Sequence, residues 1–212
     1  EAHHSQADSY RKLFDHFQPQ LLVGLTATPE RMDGKDLRPD FGNRISAEIR
    51  LPQALQAGLL TPFQYLCISD DTDLSDDSLW SGQKYNIERL ADKLCAKTRA
   101  RLIVDALHKY LADEYTCRAL CFCVNKRHAD FMAEQLRLYG FNAQSLTSDT
   151  PADERKQLAK DLREGTLHYL CVVDIFNEGV DIPEVDTVLF LRPTESLTIF
   201  LQQLGRGLRL SA

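Results

Sequence analysis

The chain has 212 residues, 43% hydrophobic and 26% charged, with 10 Gly and 8 Pro, which excludes collagen-like, low-complexity and wholly disordered classes. At about 150 residues per domain, that is one full domain and part of another. Net charge is -6, from 25 Lys and Arg against 31 Asp and Glu, so any nucleic-acid contact must be local or shared with other parts of a larger protein.

The apolar stretches fall short of the roughly 18 residues a membrane span needs, and no basic-then-apolar leader opens the sequence. A soluble, cytoplasmic protein with no membrane partner is the expectation. The six cysteines, Cys67, Cys95, Cys117, Cys121, Cys123 and Cys171, form no C-x-x-C pair, so no metal site is expected. They read as buried, reduced thiols packing as small hydrophobes.

In chain order, Tyr10, Leu13, Phe14 and Phe17 predict a helix that Pro19 ends. Gln20 to Leu25 reads as a buried strand running into Thr26-Ala27-Thr28-Pro29, followed by a polar loop over 30–47. Leu51 to Ala57 predicts a short helix stopped by Gly58, and Phe63 to Ile68 a strand. The acidic stretch Asp70, Asp71, Asp73, Asp76 and Asp77 reads as a solvated loop; it lacks the Gly and terminal Glu of a calcium loop. Two amphipathic helices follow, over about 86–96 and 99–112, whose cations Lys93, Lys97, Arg99 and Arg101 face water or phosphates.

From Arg118 the rhythm is regular. Strands at 119–124, 142–146, 168–173 and 186–191 alternate with helices at 126–139, after Pro151 to about Glu164, and 196–204. Such alternation predicts an α/β fold, a parallel sheet with helices on both faces. Ligands of such sheets sit at the carboxyl ends of the strands.

Segments at those ends carry the chemistry. In Gln202-Gln203-Leu204-Gly205-Arg206-Gly207-Leu208-Arg209, two arginines three apart are expected on one helix face, each a planar fork suited to phosphate, with Gly205 and Gly207 keeping the surface low. A solvated helix end is the plainer alternative. In 174–183, Asn177, Gly179 and Asp181 suit hydroxyl recognition and phosphate contact through backbone N–H groups; an Asp-capped loop is the alternative. Thr26 and Thr28 are paired hydroxyls at a turn, which on their own would cap it.

Their order and spacing resemble the superfamily two helicases and translocases. Glu1-Ala2-His3-His4 looks like the remainder of a D-E-A-H box, and Thr26-Ala27-Thr28 resembles motif III. Phe122-Cys123-Val124-Asn125 sits where motif IV falls, Asn177 to Pro183 resembles motif V, and Gln202 to Arg209 matches the Q-x-x-G-R-x-x-R form of motif VI. The leading Gln of motif VI, and residues 51–63 as a passage between domains, resemble the restriction-enzyme-subunit branch, which acts on DNA.

The resemblance implies a RecA-like, P-loop NTPase type sheet in 118–212, a remnant of a preceding RecA-like domain in 1–50, and a link with helices in 51–117. It implies that Glu1 polarises the attacking water and that Arg206 and Arg209 are arginine fingers. Gly179, Asp181 and Gln202 would contact nucleotide, with Asp181 on the ribose. His3, Thr26, Thr28, Asn125 and Asn177 would couple to nucleic acid, and the partners implied are duplex DNA and the missing N-terminal RecA-like domain. The implied cofactors are ATP and Mg²⁺.

No G-x-x-x-x-G-K-[ST] loop occurs, so nothing in the sequence grips the β- and γ-phosphates. The expectation is a fragment of an ATP-dependent helicase that is inactive alone, with residues 1–45 its least ordered part. The alternative from another class is a non-catalytic Rossmann-like scaffold that binds nucleic acid or protein.

Overall fold

The structure is a computed structural model that describes residues 2, 5, 7–26, 36–82, 84–173, 182–194 and 196–210. Its centre is a four-stranded parallel sheet built from β3 (Ala119–Phe122), β4 (Ala143–Leu146), β5 (Tyr169–Val172) and β6 (Thr187–Phe190), in the order β4-β5-β3-β6. The α/β architecture expected from the alternating pattern is therefore present. Helices α5 (Lys126–Leu138) and α6 (Ala152–Glu164) make the crossovers β3 to β4 and β4 to β5, and α7 (Leu197–Leu204) follows β6.

Side chains that alternate along each strand feed two cores. Ala119, Cys121 and Cys123 join Tyr169, Cys171 and Leu191 under α5 and α4 (Lys97–Tyr110), which contributes Ala100, Val104 and Leu107. Leu120 and Phe122 join Leu146, Leu170 and Val172 under α6, through Leu162, with Ile182 and Val185. α7 lies on this second face, its Phe200 ring against Phe190 at 5.0 Å between centroids. Both faces of the sheet are covered, which is what a parallel sheet requires.

Helix ends follow side-chain chemistry. Asn125, Asn86 and Ser196 cap α5, α3 (Ile87–Leu94) and α7 by accepting a backbone N–H in the first turn. Asp153 and Glu154 occupy the first turn of α6, whose stop, Gly165, has φ +73° as a left-handed C-cap needs. α1 (Asp8–Phe17) and α2 (Leu51–Gln56) complete the helices, with 3-10 turns at Arg38–Phe41 and Asp77–Leu79. No described helix is long and apolar enough to cross a membrane.

Two expected strands are absent. Among the described residues, 20–25 and 63–68 have no ladder partner and run as irregular chain, leaving Leu21, Val23 and Leu25 70 to 80% exposed. Apolar, β-branched composition makes a strand only where a neighbouring strand can take its backbone groups. Conversely, the sequence pattern misses a two-stranded antiparallel hairpin, β1 (Trp80–Ser81) and β2 (Lys84–Tyr85), whose rings stack at 4.1 Å between centroids.

The acidic stretch is more than a solvated loop. Leu74 packs on the α3 cluster and Leu79 is buried. Asp70 pairs with Arg99 at 2.7 Å. Burial alone would raise the Asp70 carboxyl, but hydrogen bonds from Thr72 and the Arg99 guanidinium outweigh it and hold the group below its usual range. Lys93 reaches Asp76 at 3.6 Å and Arg101 reaches Asp105 at 4.0 Å, so these cations are occupied within the protein.

Four of the six thiols, at 117, 121, 123 and 171, are buried and all six are free, with Cys121 opposite Cys171 in register. Burial pushes Cys117 up to about 11 and holds Cys123 well above the ordinary thiol value, so these two thiols stay protonated and unreactive. His128 is also fully buried. Burial, and then the charges of Arg99 and Arg127, lower it to about 4, so the imidazole is neutral and its Nδ1 accepts the Val124 N–H at 3.3 Å. A histidine lowered on folding contributes stability above its unfolded value near 6.5 and loses it as pH falls toward 4. We expect urea-unfolding stability to drop by up to about 3 kcal/mol across that window, and His128→Leu to remove this dependence.

Candidate nucleotide-facing site

Among the described residues, the carboxyl ends of the strands carry one of the expected residues, Asn125. After β3, Asn125 begins α5; its side-chain oxygen accepts the His128 N–H at 3.0 Å and its amide nitrogen donates to Glu88 at 3.1 Å. Both ends of this amide are thus engaged inside the protein. After β4, Thr147 N–H donates to Thr150 Oγ1, while Arg155 donates to the carbonyls of Ser148 and Thr150, both at 2.7 Å. Lys126 pairs with Asp149 at 2.6 Å. This pinned loop at the carboxyl edge was not singled out in the sequence, because most of its bonds reach it from two helices, α5 and α6.

After β6, Arg192, Pro193 and Thr194 meet Val124, Ile199 of α7, and Tyr85, Ile87 and Leu90 around a cavity of about 100 Å³. That is room for roughly three waters. A nucleotide would have to lie on the open edge, outside this cavity.

Arg206 and Arg209 do not sit on a helix face. α7 ends at Leu204, and residues 205–208 continue as tight turns, with Arg206 N–H donating to Gln203 O at 3.1 Å and Gly207 N–H to Leu204 O at 3.0 Å. The expected shared face is therefore replaced by a folded-back segment that leaves both arginines half-buried. The reason lies partly in Gly207. A Cβ there would come within 2.8 Å of Val188 Cγ2, so the glycine lets the segment lie flat on β6. Its role is close packing inside the protein, where the sequence suggested room for a phosphate-bearing partner.

Gln202 is half-buried on α7, and its neighbour Gln203, which sequence reasoning passed over, is the buried one at 1% exposure. Leu208 is buried at 2% and anchors the segment between the two arginines. Thr26 is half-buried at the end of the irregular 20–26 stretch. Glu1, His3, Thr28, Asn177, Gly179 and Asp181 lie outside the described residues, as does most of the segment between β5 and β6. Among the described residues the structure brings together the edge after β3, the edge after β6 and α7.

Arg206 and Arg209 are half-buried residues on the turns after α7, and a guanidinium suits phosphate oxygens. Each offers a planar set of donors.

Known proteins resemble this chain in sequence and in fold. The sequence pattern of the helicase conserved C-terminal domain matches residues 74–211, and that of the res subunit of type III restriction enzymes matches residues 1–31. "Putative ATP-dependent helicase IRC3" of Saccharomyces cerevisiae is 30% identical over 217 residues, 99% of this chain and 31% of the relative. The type I restriction enzyme EcoKI endonuclease subunit of Escherichia coli is 26% identical over 231 residues, 95% of this chain and 20% of the relative. A solved fragment of "a putative HsdR subunit of a type I restriction enzyme" from Vibrio vulnificus YJ016 shares the fold, with TM-score 0.71 over 97% of this chain and 40% of that one, at 23% identity. The chain spans under half the length of the curated relatives it matches.

Proposed function

The chain belongs to the helicase conserved C-terminal domain family, and on that premise we propose that it is the arginine-bearing half of an ATP-dependent DNA helicase or translocase. A separate RecA-like unit grips the triphosphate, and residues 1–50 belong to that unit. The observation that supports this reading is the pair Arg206 and Arg209, half-buried on the segment that follows α7 and packs through Gly207 on Val188 of β6.

ATP with Mg²⁺, bound by the other unit, supplies the phosphoryl group. Arg206 and Arg209 reach its γ-phosphate and stabilise the charge that develops as it leaves. Gln202, one turn before, contacts nucleotide, and Asp181 takes the ribose. Duplex DNA is the nucleic-acid partner, a reading supported by the relatives named as restriction-enzyme subunits.

The 212 residues alone hydrolyse no ATP, because their sequence contains no loop for the β- and γ-phosphates. The test is steady-state hydrolysis by the 212-residue chain and by the intact protein that contains it, each with and without duplex DNA. Hydrolysis by the intact protein alone, stimulated by duplex DNA, is the expected result. Turnover by the 212-residue chain unaided overturns the proposal, and stimulation by RNA only reassigns the nucleic acid.

A further inference from the structure

The stretch that follows α2 does not hang free between units. Gly58, at φ +67°, turns the chain out of α2, with Leu59 N–H donating back to Ala54 O at 2.9 Å. Three residues later Thr61 N–H donates to the carbonyl of Leu208 at 2.9 Å, and Thr61 Oγ1 donates to the carbonyl of Arg209 at 3.2 Å. Pro62 favours extended backbone at Thr61, which holds its N–H and hydroxyl in line for this double contact.

Farther along, the Tyr65 ring meets Phe200 of α7 edge-on at 6.2 Å. Phe200 lies on Phe190 and Phe190 on Phe122, so a row of four rings joins the 61–65 stretch to the middle of the sheet. The segment bearing the arginines is therefore gripped on two sides: Gly207 is pressed against Val188 of β6, and Leu208 and Arg209 are tied by their carbonyls to Thr61.

We infer that Thr61 is a positioning residue for Arg209, setting the backbone from which its guanidinium reaches the γ-phosphate. The inference rests on the reading of Arg209 given above. It also makes the connection between the two units part of the catalytic geometry, since a pull on residues 58–65 is felt at Arg209.

Thr61→Val keeps the shape and the N–H contact but removes the hydroxyl donor. In the intact protein it is expected to lower kcat for ATP hydrolysis roughly fivefold with KM for ATP unchanged, and Thr61→Ser to restore it. In an Arg209→Ala background the same substitution should change nothing further, because a residue acting only through Arg209 has nothing left to position. Equal losses in both backgrounds, or no loss in the first, overturn the inference.

Amide hydrogen exchange of the unaltered protein reads the contact without any substitution: the Thr61 amide is expected to exchange as slowly as the amides of β6. Exchange at the rate of open chain removes the brace. If Arg209→Ala itself leaves hydrolysis unchanged, it is the functional reading of Arg209 that fails, and the catalytic part of this inference fails with it; slow exchange at Thr61 then upholds the brace as structure alone.

Discussion

Replacing Arg209 by alanine in the intact protein is expected to lower kcat for ATP hydrolysis by about a thousandfold, the scale of an arginine supplied to a transferring phosphoryl group. Nucleotide affinity should change little, because the charge that Arg209 meets is largest in the transition state. Arg206→Ala should act in the same direction. Arg209→Lys should not rescue, since an ammonium is a point charge without the planar set of donors that matches phosphate oxygens. Steady-state hydrolysis together with a separate nucleotide-binding titration checks all three. A loss below about twofold in kcat would remove Arg209 from the reaction.

The largest stability effect is expected at Phe122. This residue is 1% exposed in β3, an inner strand paired with both β5 and β6, and its ring stacks on Phe190. Phe122→Ala removes the ring from a site flanked on both sides by hydrogen-bonded strands, where the backbone cannot collapse into the space. A loss of about 3–5 kcal/mol in urea unfolding follows from burial and cavity together. Leu21→Ala is the contrasting control. With Leu21 80% exposed, its change should stay within about 0.5 kcal/mol. Similar losses at both positions would mean that residues 20–25 bury their apolar side chains after all.

The sheet domain was legible because its signal is local. The strand expected at 168–173 is observed at Tyr169–Val172, and the helix expected to stop at Gly165 does stop there. What failed depended on distant partners. Residues 20–25 and 63–68 have strand composition without a strand to pair with. Asp70 finds Arg99 across 29 residues, which turns part of an acidic loop into an anchored one. The two arginines have the spacing of a helix face, but the helix stops before them, and the packing of Gly207 on Val188 shapes the turn that follows. For the candidate site, the sequence offered the segment and its arginines as candidates, while the contact between Thr61 and Arg209, 148 residues apart, could be seen only in three dimensions.

The two hydrogen bonds from Thr61 to the carbonyls of Leu208 and Arg209 close a neck: the peptide enters and leaves the body 62–207 at nearly one point. A module with such adjoining ends can be grafted into a surface loop of an unrelated host at little loop-closure cost.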